Sequence, residues 1–285
     1  MRVSQLTIYP VKSTHGHPVD SAPVEPWGLA GDRRWMAVDA KGSAVTARRF
    51  PRLLHVTATP DAPGQLRLHG PHAEPIDVDA TKAPAEPLVD VDVFRDELSA
   101  THPSADADAW LSSLLDHDVR LVWLDDPRRR AVEPQHAQPD DRVSFADGFP
   151  LLLATTSSLD QLNRWIESDA RQRGEIVEPL PMRRFRPNVV VENDTPFAED
   201  TWSRIRLGDI EFRVAKPCGR CVLTTIDPDS LVKGKEPLRT LSRYRRWDGE
   251  VWFGVNLIPE TPGELRVGDL AEVAAESTPD RRRSR

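Results

Sequence analysis

In Leu88-Val89-Asp90-Val91-Asp92-Val93, apolar and acidic residues alternate from Val89 onward. Strand side chains point to opposite faces with period two, so this stretch predicts a strand with one buried and one wet face. Residues 6–11 also alternate, and 34–39, 43–47, 53–59, 65–69 and 76–79 are further short strand candidates. Ala40-Lys41-Gly42 joins two of these runs as a short hairpin signal. Turn residues recur roughly every 8–12 positions, the spacing of barrels and sandwiches. The 26 prolines reinforce this reading, because proline breaks long helices.

Toward the C-terminus two helices interrupt the pattern. In the first, Asp108 is the expected cap, with Trp110, Leu111, Leu114 and Leu115 as an apolar stripe. In the second, Thr156 or Ser157 is the expected cap, Leu159, Leu162 and Ile166 share a face, and Gly174 is the stop. Strand signals return in 119–124, 188–192, 204–207, 210–216, 223–226 and 265–273. The Pro-, Arg- and Asp-rich stretch 125–141 reads as a loop opening a second domain. The fold class is therefore mainly β with a few helices.

Composition narrows the function. The 285 residues suit one or two domains, and 39% hydrophobic residues suffice for a real core. The net charge is −7 and no long basic stripe offsets it, which argues against nucleic acid as the partner. Short arginine clusters at 128–130, 183–186 and 243–246 suit a small anionic ligand or solvated surface charge. Arg239, Arg243, Arg245 and Arg246 read better as a solvated face than as a docking surface for an acidic protein. No stretch approaches a membrane span of about 18 apolar residues, and the N-terminus has no secretory pattern. A cytoplasmic protein without membrane contact is expected.

The chain has two cysteines, in Lys216-Pro217-Cys218-Gly219-Arg220-Cys221-Val222-Leu223-Thr224-Thr225-Ile226-Asp227-Pro228. A structural zinc site needs four ligands, and there is no second cysteine pair or suitably spaced histidine pair. A thioredoxin-like pair opens a helix, whereas β-branched residues follow here. Two inert core thiols are the third reading, against which Lys216, Gly219 and Arg220 speak. Nearby cations favour the thiolate, which binds soft metals.

This run resembles the signature of MOSC proteins, in the branch of the amidoxime-reducing components and their bacterial relatives. Tyr9-Pro10-Val11-Lys12-Ser13, Gly31-Asp32-Arg33-Arg34-Trp35, Thr46-Ala47-Arg48, Phe185-Arg186-Pro187-Asn188, Glu199-Asp200-x-Trp202 and Ile205-x-x-Gly208-Asp209 match the family in order. The resemblance implies two β-barrel-like domains, 1–115 and 120–275, with a flexible tail at 276–285. It implies the molybdenum cofactor, molybdenum bound to a pterin, with Cys221 as the protein's metal ligand and Cys218 packing nearby. Lys12, Ser13, Arg33 and Arg186 become phosphate- and pterin-side residues. Asn188, on one strand face with Arg186, would pair with pterin edge atoms. Asp147, Ser157, Gly219 and Arg220 are further cofactor-binding positions.

The implied activity is a detoxifying reduction of amidoximes, hydroxylamines and N-hydroxylated bases, by two-electron oxygen removal at the cysteine-ligated molybdenum. The alternative is a carrier or transfer protein for the cofactor or for sulfur, with a persulfide on Cys221. With no cysteines left for an iron–sulfur cluster, electrons are expected from a separate ferredoxin, flavin reductase or cytochrome b5-like protein.

Overall fold

The computed structural model describes residues 1–83 and 87–276. Most of the expected flexible tail, 277–285, lies outside the described residues. The chain forms two compact units that interleave in sequence. One combines Met1–Thr7 and Pro18–Pro26 with the chain from Leu151 onward; the other combines Ile8–His17 with Trp27–Pro150. The 125–141 stretch thus belongs to the unit that precedes it in sequence.

One sheet runs in the order Ala271–Glu276, Trp202–Leu207, Ile210–Gly219, Glu250–Pro259, Leu151–Thr155, Val189–Glu192, Arg2–Ile8, with the short strand His17–Val19 beyond Arg2–Ile8. From Ala271–Glu276 to Arg2–Ile8, neighbours are antiparallel except Leu151–Thr155 and Val189–Glu192, which are parallel. A parallel pair needs a crossover, and helix α2 (Thr156–Gln172) supplies it. Leu151–Thr155 is buried throughout, as expected of a strand covered on both faces. Leu162, Ile166 and Ala170 of α2 fall four apart and are buried, Leu162 and Ile166 in a cluster with Ala154, Phe185, Val190 and Phe253. Each such aliphatic burial is worth roughly 2 kcal/mol.

The second unit has several small sheets. Thr57–Pro60, Gln65–Gly70 and Ala73–Asp79 form a meander. Val89–Val93 pairs with Asp96–Ala100, and Trp35–Val38 with Arg120–Trp123. Met36, Val38, Val91, Val93, Val122, Leu124 and Phe145 share one core. Helix α1 (Ala105–Leu115) buries Ala107, Leu111 and Leu115.

Several expectations need correction. Neither unit is a closed barrel among the described residues. In the first unit, Arg2–Ile8 reaches the chain before Ala271–Glu276 through one isolated bridge, Arg2↔Leu270, and a few flanking backbone bonds. Gly268, at φ 96°, turns the chain there and splits the expected 265–273 strand into Gly263–Arg266 and Ala271–Glu276. In the second unit, isolated bridges such as Ser43↔Asp92 and Thr101↔Trp123 stand where continuous ladders would be needed. Residues 43–47 form no strand, and the Thr46 carbonyl accepts from Arg49 and Phe50 in a turn.

Residues 223–226 are also not a strand. Val222–Thr225 is a 3-10 turn, because the Thr224 and Thr225 hydroxyls donate back to the Cys221 and Val222 carbonyls at 2.9 and 2.7 Å. The helix caps shift as well. Ser104 caps α1, while Asp108 accepts from the Leu121 N–H at 2.8 Å and bonds His102 at 2.7 Å. Thr155 caps α2. Helix α3 (Leu238–Tyr244) carries part of the third arginine cluster. Arg245, expected on a solvated face, is buried against Asp200 at 2.6 Å and stacks over Phe197.

Candidate functional site

Two groups of candidate residues emerge, one within each unit. In the second unit, Lys12 is buried. Its Nζ donates to the Phe145 carbonyl at 2.8 Å and to Asp147 Oδ1 at 2.5 Å. Backbone bonds place it: Lys12 N–H donates to the Trp35 carbonyl at 2.7 Å, and Arg33 N–H to the Tyr9 carbonyl at 2.8 Å. The Tyr9–Lys12 and Arg33–Trp35 motifs are thereby laid side by side. Arg33 pairs with buried Asp32 at 2.7 Å and lies over the Tyr9 ring at 4.3 Å. Asp32 also accepts from the Tyr9 N–H at 2.8 Å, so one carboxylate fixes both motifs.

The electrostatics follow from burial and pairing. Burial pulls the Lys12 ammonium down to about 8, although Asp147 opposes the shift. Burial also disfavours charge on Arg33, but Asp32, with Tyr9 and Asp147, more than offsets it and holds the guanidinium above its usual range. Around Asp147 the crowding of protein raises the carboxyl, and Lys12, Arg48 and Arg33 outweigh it, so its pKa lies below the usual carboxylate range. Its side chain nevertheless keeps 68% of its surface open.

The residue that organises this group is Arg130, whose signal in the sequence was no more than a local charge cluster. It is buried, and its guanidinium donates to the carbonyls of Ser144, Ala146 and Asp147 at 2.6, 2.5 and 3.3 Å and to Asp96 at 2.8 Å. It thereby fixes the segment whose Phe145 carbonyl and Asp147 carboxylate hold Lys12.

In the first unit, the Ile210–Gly219 strand ends at the cysteine corner. Both thiols are free and half-buried. Arg220 N–H donates to the Val251 carbonyl at 2.7 Å. Its guanidinium donates to Cys218 Sγ at 3.0 Å and to the Phe185 carbonyl at 2.5 Å. The buried Arg220 Nε has no partner. Cys221 opens the Val222–Thr225 turn, with its carbonyl accepting from Thr224. Asp227 accepts from Arg184 at 2.8 Å and from the N–H groups of Asp229 and Ser230.

Arg186 sits before the Val189–Glu192 strand at φ 56°, so it does not share a strand face with Asn188 as expected. The Asn188 amide is engaged by backbone: Oδ1 accepts from Leu152 N–H at 3.2 Å and Nδ2 donates to the Thr7 carbonyl at 3.1 Å. Ser157 is buried on the first turn of α2 and bonds Asn193 Oδ1 at 2.5 Å. Beneath the same turn lies Glu199, which the sequence marks only as the first residue of the Glu199-Asp200-x-Trp202 motif. It accepts from Ser158 Oγ at 2.8 Å and from Thr155 Oγ1 at 3.1 Å. Ser13, Arg33 and Arg186 all have φ above 45°. Non-glycine residues rarely adopt that conformation, and such strain concentrates at functional sites.

Among the described residues no three His, Cys, Asp or Glu side chains gather as a metal cage. What the cysteine corner of the first unit offers instead is a half-exposed thiol and an adjacent guanidinium with an unpartnered buried Nε. Such donors fit a metal that arrives with its own anionic organic ligand and takes one sulfur from the protein.

Comparison with known proteins gives the same direction. Residues 1–118 match the MOSC N-terminal beta barrel domain, and residues 140–272 match the MOSC domain. The mitochondrial amidoxime-reducing component 1 of Xenopus laevis is 32% identical over 94% of this chain and 80% of its own length. The mitochondrial amidoxime reducing component 2 of Rattus norvegicus is 33% identical over 94% of this chain and 81% of its own length. A molybdenum cofactor sulfurase of Solanum lycopersicum is 28% identical over 94% of this chain but only 35% of its own length.

Proposed function

The chain belongs to the MOSC family, and from that premise we propose that it is a molybdenum-cofactor-dependent reductase of N-hydroxylated compounds. The observation that carries the reading is Cys221: a free, half-exposed thiol on a turn beside Arg220, with no protein metal cage among the described residues. The names of the similar proteins supply the cofactor and the substrate class, since two are amidoxime-reducing components and one is a molybdenum cofactor sulfurase.

In this reading Cys221 ligates the metal as thiolate, while Cys218 stays on Arg220. Lys12 and Arg33 bind the cofactor's phosphate, with Ser13 as a hydroxyl partner. Buried cations suit that role, since a charge-assisted bond strengthens where water is excluded. Lys12 serves it below about pH 8, where it is cationic. Asp147 holds the Lys12 ammonium in place, and Asp32 does the same for Arg33. Arg186, Asn188, Ser157, Gly219 and Arg220 complete the cofactor contacts. Asn188 does so by fixing backbone, because its amide joins Leu152 and Thr7. The bound cofactor supplies the two-electron change that removes oxygen from nitrogen. Electrons come from a separate donor protein of the ferredoxin, flavin reductase or cytochrome b5-like type.

The test is an anaerobic assay of cofactor-loaded protein with reduced methyl viologen and benzamidoxime. Benzamidine formation that is lost in Cys221→Ser and kept in Cys218→Ser supports the reading. The sulfur-carrier alternative has the sulfurase likeness behind it, and it predicts cyanide-labile sulfur on Cys221 with no reduction.

A further inference from the structure

Phe94 is a large apolar side chain in a place where folding alone gives no reason for one. It follows Val93 in the two-residue turn between Val89–Val93 and Asp96–Ala100, where Val93 pairs with Asp96. Its φ is 59°, which tight hairpin turns normally assign to Gly, Asn or Asp. Its side chain is not buried as recompense, since the residue stays 53% exposed. Two cations lie near the ring. Lys12 Nζ and the Arg48 guanidinium each lie 5.2 Å from its centroid. Arg48 makes no hydrogen bond to another described residue, and besides the Phe94 ring it acts on Asp147 through charge. All of this lies within the second unit, at the edge of the Lys12–Asp147 cluster.

We propose that Phe94 and Arg48 form a recognition subsite for a flat conjugated ligand that carries a hydrogen-bond acceptor. The ring stacks the ligand plane and Arg48 donates to the acceptor. A strained, exposed aromatic beside a guanidinium that bonds no other described residue is what such recognition needs: a fixed π-face and a directional donor. Resting on the reductase reading, this selects aryl and heteroaryl N-hydroxylated compounds over alkyl ones. The same chemistry describes the cofactor's own ring system, and the experiment separates the two sources.

The test is calorimetric titration of cofactor-loaded protein with benzamidoxime and acetamidoxime, comparing parent, Phe94→Leu, Phe94→Trp and Arg48→Gln, with molybdenum content measured on each. For a substrate subsite, Phe94→Leu weakens benzamidoxime binding roughly three- to tenfold, Phe94→Trp restores it, Arg48→Gln weakens it, and acetamidoxime binding is unchanged. For a cofactor subsite, Phe94→Leu lowers molybdenum content and leaves benzamidoxime binding per loaded site unchanged. Phe94→Gly adds a control: relief of the positive φ raises the melting temperature while binding falls, whereas a packing role would lower the melting temperature. Unchanged binding and unchanged metal content in Phe94→Leu overturn the proposal. Phe94-dependent binding without reduction by the parent protein leaves the subsite standing and removes the reductase reading.

Discussion

The Lys12 group and the cysteine corner handle charge in contrasting ways. In the second unit Lys12 and Arg130 are buried and Arg33 is half-buried, and each meets a carboxylate, with Arg130 also bridging three carbonyls. In the first unit Cys218 and Cys221 are half-buried, and Arg220 reaches Cys218 while its Nε stays unpartnered. One region is assembled before any ligand arrives, which is how a site holds an anion without reorganising. The other keeps a reactive atom accessible on a short turn. In the proposed reading the first kind of region holds the anion and the second supplies the metal ligand.

Two carboxylates sharpen the contrast. Asp147 stands beside Lys12 and is held below the usual range. Glu199 is buried with hydroxyl partners, and burial pushes it up to about 7, with Asp200 adding to the shift against the hydroxyl bonds.

The largest expected stability effect lies at Arg130. Arg130→Met leaves three carbonyls and Asp96 without their donor and should destabilise the protein by roughly 3–5 kcal/mol in urea unfolding. A loss below about 1 kcal/mol would mean that the Lys12 group is not preassembled.

Glu199 comes next. Its carboxyl is raised in the fold, so the native state binds more protons than the unfolded chain between about pH 4.5 and 7. Native stability should therefore fall as pH rises across that window and level off above it. Glu199→Gln keeps the hydroxyl bonds and removes the charge. It should be more stable than the parent by on the order of 2–3 kcal/mol at pH 9, with the difference vanishing toward pH 4.5. A difference independent of pH would rule out the burial account.

The smallest effect is on anion affinity. Lys12 is cationic below about pH 8 and neutral above it. Pyrophosphate affinity should weaken about tenfold as pH rises through that value, and Lys12→Met should flatten the profile. A parent profile that is flat across pH 8 would take Lys12 out of the anion site.

Much of this was legible in the sequence, for identifiable reasons. Val89–Val93 formed as a strand because its alternation is local, and Trp35–Val38 because it is a short apolar run. Lys12, Arg33 and Asp147 do come together within one unit. What stayed hidden depends on distant partners. Arg2–Ile8 pairs with Val189–Glu192, which makes the two units interleave, and no local pattern announces it. Buried Arg130 and Arg245 look like surface charge until Asp96 and Asp200 are beside them. Thr224 and Thr225 have strand propensity, but their hydroxyls bond the preceding carbonyls and close a turn.

The central claim is that Cys221 is the protein's ligand to molybdenum, and metal content tests it most directly. Parent, Cys221→Ser and Cys218→Ser proteins would be produced in a host that makes the cofactor and measured by inductively coupled plasma mass spectrometry. The account predicts near-stoichiometric molybdenum in the parent and in Cys218→Ser, and its loss in Cys221→Ser. Equal molybdenum in all three proteins, or none in the parent under conditions that load a relative, would contradict it.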